Sequence, residues 1–260
     1  MKRLFALSSI LFFLFIAVVH AEPLDLSTWS AKTWDFSGGQ PAGNWVLSSG
    51  NTVVTQTVNA DPSAYLNNLN QTNYTMQGSW KVLEVGGDDD FMGFVFGYQN
   101  TSNFYLFDWK QGQQDYVGKT ALEGFSIKKI SAPSAVSLSL EDFWSSTNTD
   151  YMSLLASSYG SDKGWADNAS YDFFLDFKSG EFQVVVKSGA TELWNVIVND
   201  SSFTSGQFGF YNFSQENVQY AGFEQEGGEI VNPVPEPATM LLLGIGLIGL
   251  AGYGRRKFKQ

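Results

Sequence analysis

Residues Asp88 to Gln111 read DDDFMGFVFGYQNTSNFYLFDWKQ, and this stretch constrains the fold more than any other. Phe91–Tyr98 and Phe104–Lys110 are two short runs of β-branched and aromatic residues around a polar turn, the pattern of a hairpin. Both faces of each run are largely apolar, so neither face can be left in water, and these must be inner strands covered on both sides. With Gln99–Asn103 as the loop, Gly93 faces Trp109, Gly97 faces Tyr105 and Val95 faces Phe107. Each glycine then leaves room for a ring across the strand. The same register sets Asp108 opposite Phe94, four residues from Asp90. At about 3.3 Å per residue that is too far for the two to share an ion in a straight strand.

The remaining chain reads as further short strands bounded by Gly, Asn, Asp and Ser: Asn44–Ser48, Thr52–Val58, Ser79–Val85 and Gly124–Ile130, then Tyr171–Phe177, Glu181–Lys187, Thr191–Val198, Gln207–Phe213 and Val218–Glu224. Many short strands at this spacing indicate an all-β sandwich or barrel. Glu141–Tyr159 lacks the alternation and reads as a short helix or a long loop. EGGEIVNP, residues 226–233, is rich in Gly and Pro and reads as a linker, with the domain spanning 22–226 and the linker 227–233.

The ends look like targeting elements. Lys2 and Arg3, an apolar run over Leu4–Val19 and small residues at Val19 and Ala21 have the form of a secretory leader covering residues 1–21. At the other end, V-P-E-P at Val234–Pro237 precedes an apolar span from Ala238 to Tyr253 and a basic tail of Arg255, Arg256, Lys257 and Lys259. The span is 16 residues, short of the ~20 that cross a bilayer untilted. The basic tail favours the cytoplasmic side. This 234–260 segment resembles the PEP-CTERM sorting signal of Gram-negative bacteria. The resemblance implies recognition by an exosortase, a transient inner-membrane anchor, removal of the tail, and delivery to the cell surface, outer envelope or extracellular matrix.

Between these ends there is no cysteine, and the only histidine, His20, lies in the leader. Ser-His-Asp and Cys-His catalysis are thereby excluded, as are zinc sites built from thiolate or imidazole. A metal would have to be held by oxygen, which suits calcium or magnesium. Between Glu22 and Glu236 the chain has 9 basic residues, all lysine, against 26 acidic, a net charge of −17. Such a surface is no partner for nucleic acid.

At the hairpin the chain resembles the C-terminal domain of thrombospondins: an acidic triplet, a G-F-V-F-G-Y-Q strand, a polar turn and an aromatic strand ending W-K-Q. NWVLSSGNTVVTQTVNADP (44–62), KGWADNASYDFFLDF (163–177) and GQFGFYNFSQENVQYAGFEQE (206–226) extend the similarity in order along the chain. The resemblance implies an antiparallel jelly-roll β-sandwich of the concanavalin A or legume-lectin type, calcium held by edge loops, and a role in matrix contacts. Three features depart from the family. Ala60 stands where the family has cysteine, the Asp-rich calcium repeats are absent, and Asn103 replaces a basic residue, so receptor binding assigned to that strand in animals does not transfer.

The acidic triplet is the leading site candidate. Three like charges beside a buried strand repel one another and need compensation. A straight strand would point Asp88, Asp89 and Asp90 to alternate sides, so a calcium site needs them looped, with Asn59 and Asp61 as further ligands by resemblance. The alternative is an acidic turn whose carboxylates stay in water. Asp172 and Asp176 share a face of one strand, and Glu181 and Lys187 a face of the next, but no E-x-D-x-E pattern of a sandwich hydrolase is present. Trp109 and Trp194 read as core, whereas Trp144 and Trp165, in irregular segments, are candidates for stacking on sugars at the surface. Together these readings point to an exported, non-enzymatic, calcium-binding adhesion module for extracellular polysaccharide or matrix protein. The alternatives are a carbohydrate-active hydrolase on the same fold or a purely structural matrix protein.

Overall fold

A computed structural model describes residues 23–36, 38–83 and 87–230. The leader, the V-P-E-P tail with its 238–253 span, and positions 84–86 lie outside the described residues. Two seven-stranded antiparallel sheets form the sandwich. The first runs β1 (Ser30–Thr33), β4 (Ser63–Leu66), β15 (Gln207–Phe213), β6 (Phe91–Asn100), β7 (Asn103–Lys110), β10 (Gly124–Ser131) and β11 (Met152–Tyr159). The second runs β14 (Thr191–Asp200), β13 (Gly180–Ser188), β12 (Ser170–Lys178), β5 (Gln71–Val82), β16 (Val218–Ile230), β3 (Val53–Gln56) and β2 (Trp45–Leu47). A small hairpin of β8 (Gln114–Tyr116) and β9 (Lys119–Ala121) stands apart, and one short helix, α1, covers Leu140–Trp144.

The hairpin β6–β7 lies at the middle of the first sheet, as its two apolar faces require. One face, with Met92, Phe94, Phe96, Tyr105, Phe107 and Trp109, meets the second sheet. There Trp80 of β5 stacks on Phe173 of β12, with ring centroids 5.0 Å apart and planes at 12°, and on Phe107 at 5.7 Å. The other face, with Phe91, Val95, Phe104 and Leu106, lies under Trp34, Phe143 and Trp144 in a second apolar cluster. Helix α1 holds two of those covering rings. Its start is fixed by Ser139, whose backbone N–H donates to Asp142 Oδ2 at 2.8 Å. Each large side chain so buried contributes roughly 1.5–3 kcal/mol.

The register of β6–β7 differs from the sequence expectation. Gly93 pairs with Asp108, Phe94 with Phe107 and Phe96 with Tyr105, while Asn100 pairs with Asn103 across a two-residue turn. A bulge between Phe96 and Asn100 accounts for the change. Gly97 sits there at φ +53°, and an added Cβ would come within 3.1 Å of the Tyr105 ring and 3.2 Å of Phe177. The bulge moves Tyr98 to the outer cluster beside Phe104.

Other boundaries shift as well. The stretch 227–230, read as linker, continues β16 and pairs with β5, with Gly227 opposite Tyr74 and Glu229 opposite Thr72. Glycines at 227 and 228 take positive φ and let the strand bend while it stays paired. The ambiguous 141–159 stretch resolves into α1 and edge strand β11. Trp144 and Trp165 are not surface residues: both are 2 % exposed, Trp144 on α1 in the outer cluster and Trp165 in the core between the sheets. Trp109 is core, and Trp194 packs partly buried against it.

Candidate functional site

Four loops meet where β6 begins and β7 ends. Asp61 closes the first: its Oδ2 accepts from Phe36 N at 3.0 Å and its Oδ1 from Gln40 N at 2.9 Å. Gln40 Nε2 donates to Ser214 Oγ at 2.8 Å, and Ser214 N donates to Ala60 O at 2.9 Å. Ser214 takes φ +55°, which turns the chain sharply after β15. The next residue, Gln215, accepts from Asp90 N through Oε1 at 3.0 Å. Trp165 Nε1 donates to Asp90 O at 3.1 Å and fixes the triplet from the far side. Residues 36, 38–40, 59–61, 88–90 and 214–216 thus form one cluster.

Within it the triplet does not converge on a single point. Lys110, the last residue of β7, is fully buried beneath Asp89 and Asp90. Its Nζ donates to Asp90 Oδ1 at 2.7 Å, to Asp89 O at 3.0 Å, to Asp89 Oδ1 at 3.2 Å and to Gln114 Oε1 at 3.1 Å. The ammonium also lies 5.0 Å from the Trp144 ring and 5.3 Å from the Phe91 ring. Two of the three carboxylates therefore have a cation supplied by the chain itself.

Asp88 turns the other way. Burial and then the Asp90 charge push its pKa up to about 6, against hydrogen bonds from the Glu216 backbone and the Asn59 side chain that pull it down. Its Oδ2 is buried without a hydrogen-bond partner. Burial also raises the Asp90 pKa, with Lys110 acting against that rise.

The other carboxylates considered for chemistry lie elsewhere. Asp108 sits opposite Gly93 on the outer face, where Lys128 Nζ donates to its Oδ2 at 2.7 Å and to Phe143 O at 2.7 Å. Asp172 lies opposite Lys187 and Asp176 opposite Gln183, on the outward side of the second sheet.

Calcium takes six to eight oxygens, including carboxylate, amide and backbone oxygens and water. Among the described residues no three acidic side chains are spaced to ligate one ion. The orphaned Asp88 oxygen, with the Asn59 amide beside it, fits a hard cation held largely by neutral oxygens and water. Asp89 and Asp90 fit less well, because Lys110 already pairs with both. The sequence missed Lys110, Gln40, Ser214 and Gln215. The signals were there: a lysine ending an aromatic strand, and the F-S-Q-E turn.

Two antiparallel sheets packed as a sandwich give the chain a lectin-like fold. A solved structure of the VIP36 exoplasmic/lumenal domain, in its Ca2+/Man2-bound form, shares the fold with a TM-score of 0.50 at 12% identity, covering 80% of this chain and 84% of that one. The chain belongs to the thrombospondin C-terminal region family, which it matches over residues 40–227. Residues 233–257 match the PEP-CTERM protein-sorting motif, as expected of an exported protein. Among relatives, human (Homo sapiens) cartilage oligomeric matrix protein is 29% identical over 187 residues, 68% of this chain and 25% of that protein. Thrombospondin-4-B of Danio rerio is 29% identical over 191 residues, 70% of this chain and 20% of that protein. The chain thus spans a fifth to a quarter of the length of these relatives.

Proposed function

We propose that this protein is a calcium-supported, non-enzymatic binding module. Its sorting motif delivers it through an exosortase and a transient inner-membrane anchor to the surface or matrix of a Gram-negative cell, where it holds extracellular polysaccharide or matrix protein. The carrying observation is the loop cluster that leaves Asp88 Oδ2 buried and unpartnered beside Asn59, with the charges of Asp90 and Asp89 acting on it. Calcium would be held at Asp88 and Asn59, with Asp90 and Asp61 behind them and Asp89 at the rim. When bound, the ion supplies positive charge that fixes these loops in place.

The engagement of the carboxylates supports the non-enzymatic reading. Hydrolysis of a glycosidic bond needs one carboxyl group to give a proton and another to act as base or nucleophile. Asp61 is held by two backbone N–H groups and Asp90 by Lys110, so both are tied to structural partners.

The test is co-sedimentation with a panel of insoluble polysaccharides and matrix extract, in calcium and in chelator, with reducing ends assayed in parallel. The expected result is retention that falls in chelator, with no new reducing ends. Reducing ends that disappear in Asp90→Asn or Asp61→Asn would make the protein a hydrolase.

A further inference from the structure

Next to Asp90 and Gln114, two partners of the Lys110 ammonium, lies a cavity of about 210 Å³, opening between the β8–β9 hairpin and the loop cluster. Asp61 and Asp90 line it, with Gln40, Gln114, Tyr116 and Trp144. We propose that it binds one pyranose unit of a polysaccharide. This rests on the reading of the protein as a matrix-binding module and names the site and ligand class.

The lining mixes hydrogen-bond donors and acceptors. Trp144 is 2 % exposed, and its indole Nε1 is buried with no hydrogen-bond partner, a donor that needs an acceptor. Gln114 turns Oε1 to Lys110, which leaves its NH2 as a second donor. Gln40 uses its NH2 on Ser214, which leaves its carbonyl oxygen as an acceptor. Asp61 and Asp90 are acceptors fixed in place by Phe36 N, Gln40 N and Lys110. A bare cation cannot accept from Trp144, and an anion would face carboxylates. Neighbouring hydroxyls of a sugar both donate and accept, so one ring can serve both sets at once. Tyr116 is 47 % exposed at the mouth, its ring edge-on to Trp144 with centroids 5.1 Å apart. It offers a face on which the C–H side of a pyranose can lie. The space, about 210 Å³, suits a single ring rather than a longer chain.

The experiment is tryptophan fluorescence of the full chain titrated with glucose, mannose, galactose, glucosamine and N-acetylglucosamine. At least one should give a saturable change in the millimolar range. Tyr116→Ala should weaken that binding roughly tenfold, and Gln114→Ala or Trp144→Phe roughly fivefold, the scale of a lost ring contact or hydrogen bond. Tyr116 and Gln114 are exposed, so their variants test the site even if Trp144→Phe does not fold. Phe174→Ala, on the outward face of the second sheet, should bind as the parent does. No saturable response to any of the five sugars overturns the inference. Binding that survives both Tyr116→Ala and Gln114→Ala also overturns it, while leaving the module reading intact. A response confined to glucosamine and abolished by salt would replace it with simple attraction of a cation.

Discussion

Asp88 and Asp200 lie toward opposite ends of the β6–β7 hairpin, and their surroundings differ in kind. Asp200, at the end of β14, accepts from Tyr105 Oη at 2.6 Å, from Lys129 Nζ at 2.9 Å and from Ser202 N at 2.8 Å. Burial opposes its ionisation, but hydrogen bonds from Ser202, Tyr105 and Lys129 together hold its pKa well below the usual carboxylate range. Asp88 has burial and a like-charged neighbour, a pKa raised to about 6, and one buried oxygen with no donor. The first carboxylate is a finished structural anchor that ties a loop to the sheet. The second is short of positive charge although Lys110 pairs with Asp90, two residues further along the chain. Lys110 serves Asp89 and Asp90 and leaves Asp88 to something else.

The strongest way to break this comparison is at Lys110. Lys110→Met keeps the volume and removes the ammonium, leaving Asp90 uncompensated in a buried place and Asp89 unpaired at the rim. Loss of one partner of such a pair costs about 3–5 kcal/mol. Urea unfolding in chelator should show a drop of that size. Restoration by calcium would mean the triplet can gather round an ion when the lysine is gone. A loss under 1 kcal/mol would mean that Lys110 is not what neutralises the triplet.

Asp200→Asn should cost less, about 1–2 kcal/mol, since a few partly exposed hydrogen bonds are weakened. Because the folded pKa of Asp200 is depressed, its contribution is full above the unfolded value near 4 and is lost as pH falls through the folded value. The acid-unfolding curve of Asp200→Asn should therefore be flatter than that of the parent below about pH 4. Parallel curves would show that the anchor contributes nothing through ionisation.

The smallest effect has the opposite sign. The folded pKa of Asp88 is raised, so its ionisation opposes folding as pH rises from about 4 toward and past 6. In chelator, Asp88→Asn should be more stable than the parent at pH 7.5, by about 1 kcal/mol after allowance for partial exposure, and indistinguishable near pH 4. Equal stability at both pH values would remove the contrast with Asp200.

Particular residues show how far this was legible in the sequence. Phe91, Val95, Phe104 and Leu106 on one side, and Phe94, Phe107 and Trp109 on the other, made the doubly covered hairpin readable, and with it the sandwich. The register was not readable, because a bulge at Gly97 depends on Tyr105 and Phe177 crowding the backbone, and only the assembled fold brings them there. SAYL of β4 and the first half of β5 were missed because they are short or polar on alternate positions. Trp144 and Trp165 were misplaced because neither a five-residue helix nor an irregular segment is long enough to show a periodic buried face. At the site, Asn59 and Asp88 do come together. The division of labour among the three aspartates was hidden, since it turns on where one lysine side chain ends.

The most direct test of the account is a pair of thermal melts, in chelator and in about 10 mM calcium, for the parent chain and Asp88→Asn. Extracellular calcium modules bind at about 10⁻⁴–10⁻³ M, a 10- to 100-fold excess here. An ion that binds only the folded state then adds roughly 1.4–2.7 kcal/mol. At about 2–4 °C per kcal/mol for a domain of this size, the parent midpoint should rise by about 3–10 °C. Asp88→Asn should start higher in chelator and gain little or nothing from calcium. Superimposable parent curves, or an equal calcium shift in Asp88→Asn, would contradict the claim that Asp88 is the carboxylate left waiting for an ion.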